Sequence, residues 1–196
     1  METTTTDSRP KRTGTGSWVI AVAVAQAIAV AGYLWIEHGR GATAQQPMRA
    51  ERVEGAAPPL VLRRADGTVF DLSELRGRSV LLHFWASWCA PCRVELPELL
   101  AVGRELSAGH SVSVVAAAVD DDWQAIGRFF DGAVPSEVVR VDDAVARQRY
   151  EVSTLPDTYL IGADGALRLR FGGARDWRRP DAQALLAEWV GKRDTR

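Results

Sequence analysis

The chain has 196 residues, with 24 basic against 25 acidic side chains and two cysteines. A net charge of -1 offers no basic footprint for a nucleic acid, and two cysteines build neither a dense disulfide scaffold nor a four-thiolate zinc site. The length fits one domain of ordinary size plus an extension, so the 46% hydrophobic content mixes two environments.

The extension comes first. Residues 1–17 are polar, with Arg9, Lys11 and Arg12 close to the next segment. Residues 18–36 read WVIAVAVAQAIAVAGYLWI, without a charge. As a helix this segment spans about 28 Å, close to the hydrocarbon core of a bilayer. Trp18, Tyr33 and Trp35 lie near its ends, where amphipathic rings favour the interface. The basic cluster predicts a cytoplasmic tail over 1–17 and a transmembrane signal-anchor over 18–36. A cleaved signal peptide is the rival reading, since Ala29-Val30-Ala31 and Ala42-Thr43-Ala44 fit a small-x-small site. Both readings put the remainder in the periplasm or outside the cell. Residues 37–57 show no apolar period and read as a flexible linker, which predicts ordered structure from Pro58 to the C-terminus.

From there the pattern alternates. Residues 59–64 and 68–72 flank Asp66-Gly67, a hairpin signal. Residues 80–85 (VLLHFW) form an apolar run suited to a strand covered on both faces. A helix follows Cys89, with Leu96, Leu99, Leu100 and Leu106 on one face. Strands are expected over 112–119 and 137–141. Asp122 caps a helix carrying Trp123, Ile126, Phe129 and Phe130, and another helix covers 143–150. Strands 158–161 and 167–171 are joined at Ala163-Asp164-Gly165, and a last helix begins near Pro180. The class is α/β.

The chemistry concentrates in Trp88-Cys89-Ala90-Pro91-Cys92. Thiols at this spacing can close a small disulfide when the first caps a helix, whose N-terminus stabilises a thiolate and lowers the pKa of Cys89. Pro91 suits the first turn, where its missing N–H costs nothing. Cys89 then attacks and Cys92 resolves the mixed disulfide. The competing readings are a structural disulfide, half a zinc site and a haem attachment. Haem attachment needs a histidine after the second cysteine, where Arg93 stands. The zinc reading lacks a second thiol pair; the only histidines are His38, His83 and His110.

Residues 84–92 (FWASWCAPC) resemble the active-site strand and turn of the thioredoxin superfamily. The wider run, DLSELRG at 71–77 through CRVELP at 92–97, resembles its TlpA/ResA/CcmG branch of membrane-tethered thiol–disulfide oxidoreductases. The resemblance covers roughly residues 58–192. It implies a thioredoxin-like fold, a central mixed sheet flanked by helices, with an N-terminal β-hairpin extension. It also implies a cis-proline at Pro156, in Leu155-Pro156-Asp157, which offers the backbone of Leu155 to a substrate and keeps metals off the thiols.

Further residues are expected to tune the site. His83 stands six before Cys89, where thioredoxins carry a proton-relaying aspartate. It reads either as a relay near neutral pH or as a buried structural imidazole. Asp157 follows the cis-proline and reads as an acid that raises the thiol pKa values or contacts substrate, or as a plain surface acid. Glu95 matches a common family glutamate, but the preferred reading is a solvated helix acid or ion-pair partner. Trp88 supplies apolar surface beside the disulfide, and Trp85 belongs to the core.

The resemblance implies a reductase of exported disulfide proteins, such as apocytochrome c or a copper-site protein of an oxidase. It implies a CcdA/DsbD-type membrane electron donor, no cofactor beyond the Cys89/Cys92 pair, and no metal. Two alternatives stand beside it. One is a non-catalytic thioredoxin-fold assembly module. The other is a peroxiredoxin, which the absence of a proline in residues 83–88, ahead of Cys89, argues against.

Overall fold

A computed structural model describes residues 22–31, 48–109, 112–120 and 122–191. The chain divides into two units, residues 1–44 and 45–196. In the first, residues 22–31 form a helix, α1, whose side chains are all exposed. The rest of the expected span at 18–36 lies outside the described residues. No helix among the described residues is long and apolar enough to cross a membrane.

The second unit is built on an eight-stranded sheet among the described residues. In chain order its elements are β1 (Glu51–Arg52), β2 (Val61–Arg63), β3 (Val69–Asp71), a 3-10 turn (Leu72–Leu75), β4 (Ser79–Trp85), α2 (Ala90–Gly109), β5 (Val112–Ala118), α3 (Trp123–Phe129), β6 (Val138–Arg140), α4 (Asp143–Tyr150), β7 (Asp157–Ile161), β8 (Leu167–Gly172) and α5 (Pro180–Gly191). The strand order is β1-β8-β7-β4-β5-β6-β2-β3. β4 pairs parallel with β5 and antiparallel with β7. It is therefore central, and every one of its residues is buried. This is the thioredoxin-like α/β architecture that the resemblance implied.

The local signals explain most boundaries. Asp66 accepts the Thr68 N–H at 2.8 Å in the β2–β3 turn. Asp122 and Asp142 cap α3 and α4 by accepting from Ala125 and Val145. Neighbouring β4 side chains point to opposite faces of the sheet. Phe84 meets Tyr150 of α4 at 5.2 Å, while Trp85 meets Phe129 of α3 at 5.4 Å. The two helices therefore cover opposite faces. Gly103 lets α2 sit directly on β5, since a Cβ there would lie 2.1 Å from Val114 Cγ2.

One expectation is corrected. The linker assigned to residues 37–57 is already ordered structure by Glu51. β1 pairs with β8, placing Glu51 opposite Arg170. The Val53 N–H donates to the Arg168 carbonyl, and the Ala57 N–H to the Gly165 carbonyl. Met48, Ala50, Val53 and Ala57 pack against the core. The segment carried no strand signal because its two ladder residues are exposed charges and its core contacts come from scattered, partly buried apolar residues.

Candidate functional site

The site forms where β4 ends and α2 begins. The Cys89 N–H donates to the Ala86 carbonyl, and its own carbonyl accepts from Arg93, so Cys89 occupies the cap position of α2. The Cys92 N–H points back at Cys89 Sγ, 3.3 Å away. The sulfur thus takes the place of a capping oxygen at the positive end of a 20-residue helix. Cys89 and Cys92 are joined in a disulfide, with Cα atoms 5.3 Å apart. Cys92 is fully buried and Cys89 nearly so. Pro91 sits inside the first turn of α2.

Behind the disulfide, the Ser87 N–H donates to Asp120 Oδ2 at 2.9 Å and the Ser87 hydroxyl to Asp120 Oδ1. Asp120 is buried beyond the end of β5 and so ties the active-site turn to the neighbouring strand. Arg93 closes the other side, donating to the Ser87 carbonyl and lying over Phe129.

In front, the Leu155–Pro156 peptide bond is cis, as expected. Leu155 lines a shallow groove together with Trp88, Cys89 and Pro91. Trp88 is 68% exposed and Val94, on α2, 81%. A large exposed apolar side chain such as Trp88 beside a reactive group suits docking of a polypeptide. Trp85 is buried against Phe129 and Phe130, as a core residue should be.

The three tuning residues are all buried. His83 takes the structural alternative. Its Nδ1 is hydrogen-bonded to Thr158 Oγ1 at 2.8 Å, and burial lowers its pKa to about 3. Burial thus favours the neutral imidazole near neutral pH, the form that the structural alternative needs. Asp157 is not a surface acid. Burial pushes its carboxyl up, while Arg170 pulls it back through a 2.7 Å ion pair. Glu95 is corrected most. It is neither solvated nor a surface ion-pair partner, because a segment from the far end of the chain covers it. Its Oε1 accepts from Trp177 Nε1 at 2.6 Å and its Oε2 from the Arg175 N–H at 3.1 Å.

Burial nevertheless outweighs those bonds and raises the Glu95 pKa from 4.5 to about 7. One turn beyond Cys92, it can hold or release a proton near neutrality. It also makes stability depend on pH. The unfolded chain loses the Glu95 proton near pH 4.5, while the folded chain keeps it to about 7. The contribution of Glu95 is therefore fully present below pH 4.5 and is lost, by about 3 kcal/mol, as pH rises through 7. Glu95→Gln is expected to remove this contribution, read as the difference in urea midpoint from the wild type between pH 4.5 and 8. An unchanged slope would contradict the assignment.

Sequence reading missed Asp120, Arg175 and Trp177. Asp120 opens an acidic run in which the cap Asp122 was the only legible signal. Trp177 lies 82 residues from Glu95, beyond the reach of any local pattern. Among the described residues, no group of three His, Cys, Asp or Glu is placed to hold a metal.

The model of the AhpC/TSA family matches residues 53–170, more than half of the chain. The chain is 34% identical over 110 residues to the thiol-disulfide oxidoreductase ResA of Bacillus subtilis, covering 56% of this chain and 61% of that one. It is 30% identical over 128 residues to ResA of Oceanobacillus iheyensis, covering 63% and 66%. The matches thus span just under two thirds of these relatives. Among solved structures, one assigned as the thiol:disulfide interchange protein DsbE of Chlorobium tepidum aligns with TM-score 0.57 and 28% identity. That alignment covers 72% of this chain and 96% of the other. A secreted Mycobacterium tuberculosis disulfide oxidoreductase aligns with TM-score 0.52 and 25% identity over 67% and 93%.

Proposed function

The chain belongs to the AhpC/TSA family, and we propose that it acts there as an extracytoplasmic thiol–disulfide oxidoreductase working in the reducing direction. The observation that carries this reading is the placement of Cys89. Its sulfur caps α2 and sits beside exposed Trp88, while Cys92 is buried one turn away. A helix N-terminus favours a thiolate over a thiol. The names of the relatives and solved structures support the same chemistry.

In the reduced protein the Cys89 thiolate attacks one sulfur of a substrate disulfide. The other substrate sulfur leaves as a thiolate and takes up a proton. Cys92, once deprotonated, attacks Cys89 Sγ and expels the second substrate thiolate. Two electrons have then passed to the substrate, and Cys89–Cys92 is oxidised, as in the structure. Glu95 is a candidate to take the Cys92 proton, with a carboxyl near neutrality one turn away. Leu155 offers its backbone to the substrate segment in the groove. The dithiol needs no other cofactor.

Residues 18–36 are the anchor in this reading, with residues 1–17 cytoplasmic and the C-terminal domain in the periplasm or outside the cell. A membrane dithiol donor of the CcdA/DsbD type resets Cys89–Cys92. The substrates are exported proteins such as apocytochrome c or oxidase-assembly proteins.

Substrate trapping tests the proposal. Cys92→Ala leaves the attacking thiolate but no resolving one, so mixed disulfides through Cys89 should accumulate and be released by reductant. If none were captured in cells expressing the full chain, a non-catalytic assembly module would be the better reading.

A further inference from the structure

The groove beside the disulfide carries one charged side chain. It is lined by Trp88, Ala90, Pro91, Val152 and Leu155, by the hydroxyl residues Ser153 and Thr154, and by Arg147. Arg147 lies in the last turn of α4. Its Nε donates to Asp143 Oδ2 at 2.7 Å, four residues earlier. Both side chains are about half exposed. Nη1 and Nη2 make no hydrogen bond among the described residues. A guanidinium is a planar fork, so an ion pair through Nε fixes its orientation and leaves the outer edge to receive a carboxylate.

The charged neighbours do not share this position. Arg93 is turned to the Ser87 carbonyl and the Phe129 ring. Arg149 donates to the Pro59 carbonyl. Asp120, bonded to the active-site turn, and Asp157, next to the cis-proline, are buried and engaged with Ser87 and Arg170. An acidic group entering the groove therefore meets one cation and no lining carboxylate.

We propose that Arg147 is a specificity-determining residue and that the preferred substrates carry an Asp, a Glu or a terminal carboxylate close to the cysteine that Cys89 attacks. This rests on the oxidoreductase reading and narrows its substrate class. The apolar walls accept polypeptide of many sequences, and the single charge selects the flank. Asp143 acts through Arg147 as a positioning residue. The simpler role of the pair is to support α4, because an acid four residues ahead of a base is a favourable helix arrangement worth a few tenths of a kcal/mol. That role predicts no effect of Arg147 on substrate choice, so choice is the measurement.

The test uses the full-length chain in detergent and three peptides with the same internal disulfide. The residue beside the attacked cysteine is Glu, Lys or Ser. The readout is the ratio of kcat/KM between the Glu and Lys peptides, not the absolute rate. The wild type should favour the Glu peptide by roughly three- to tenfold, the range expected for one partly exposed charge pair. Arg147→Gln should bring the ratio close to one, and Arg147→Glu should invert it. The wild-type preference should weaken in high salt. Equal rates for the Glu and Lys peptides, or a ratio unchanged in Arg147→Glu, would overturn the inference while leaving the oxidoreductase reading intact. Failure to reduce the Ser peptide as well would overturn that reading and the inference together.

Discussion

Replacing Cys89 by serine is expected to lower disulfide exchange at least about a thousandfold, because a neutral hydroxyl cannot replace a thiolate as the attacking group. The structure makes this replacement more telling than its partner. Cys89 caps α2, and the helix end is worth roughly 0.3–2 kcal/mol to a negative charge placed there. Serine is itself a good cap, so Cys89→Ser should fold normally and lose chemistry alone. Cys92→Ala should instead retain the first attack and stall at the mixed disulfide. The two outcomes are separated by turnover of insulin and by adducts on non-reducing gels. Cys89→Ser should give neither turnover nor adduct. Normal turnover by that variant would remove Cys89 from the role of nucleophile.

This contrast was legible in the sequence because it depends on residues within one turn. Cys89, Pro91 and Cys92 share a helix start, and their spacing alone defines how they can meet. The central strands were legible for a similar reason. β4 is buried on both faces, so its apolar run is continuous, and Asp122 announces α3 through a bond three residues long. What escaped was set by distant chain. Glu95 looked like a solvated helix acid because nothing near it in sequence reveals that Trp177 and Arg175 will cover it. For Asp157 a surface acid stayed open beside a tuning one because its partner, Arg170, comes from the adjacent strand. β1 was hidden because a two-residue edge strand of charged residues has no pattern to read; its pairing is decided by the free edge of β8. In each case the missing information is the tertiary partner.

The same dependence on distant partners makes His83 the residue that should limit stability in acid. It is fully buried in β4; among the described residues its side chain's one hydrogen bond is to Thr158 on β7, and its Nε2 has no partner. Burial lowers its pKa from 6.5 to about 3. Above pH 6.5 the imidazole is neutral in both states and adds no pH dependence. Below that the unfolded chain takes up a proton that the folded chain refuses, so stability falls as pH drops from 6.5 towards 3. The loss from this one group reaches about 3 kcal/mol by pH 4 and about 4 kcal/mol by pH 3. Domains of this size are stable by roughly 5–15 kcal/mol, so His83 alone removes a large share. Surface carboxylates held low by their hydrogen bonds, such as Asp66 and Asp122, also cost stability in acid. The measurement is therefore a difference. His83→Asn keeps a polar group that can face Thr158 but does not titrate. It should cost stability at pH 7, where a buried bond and some packing are lost, yet lose less on acidification. Denaturant midpoints of the two proteins should converge between pH 6.5 and 4, and parallel curves over that range would refute the assignment. Activity measured across pH 6.5–9 should show no ionisation that His83→Asn removes, since the imidazole carries no charge to lose there.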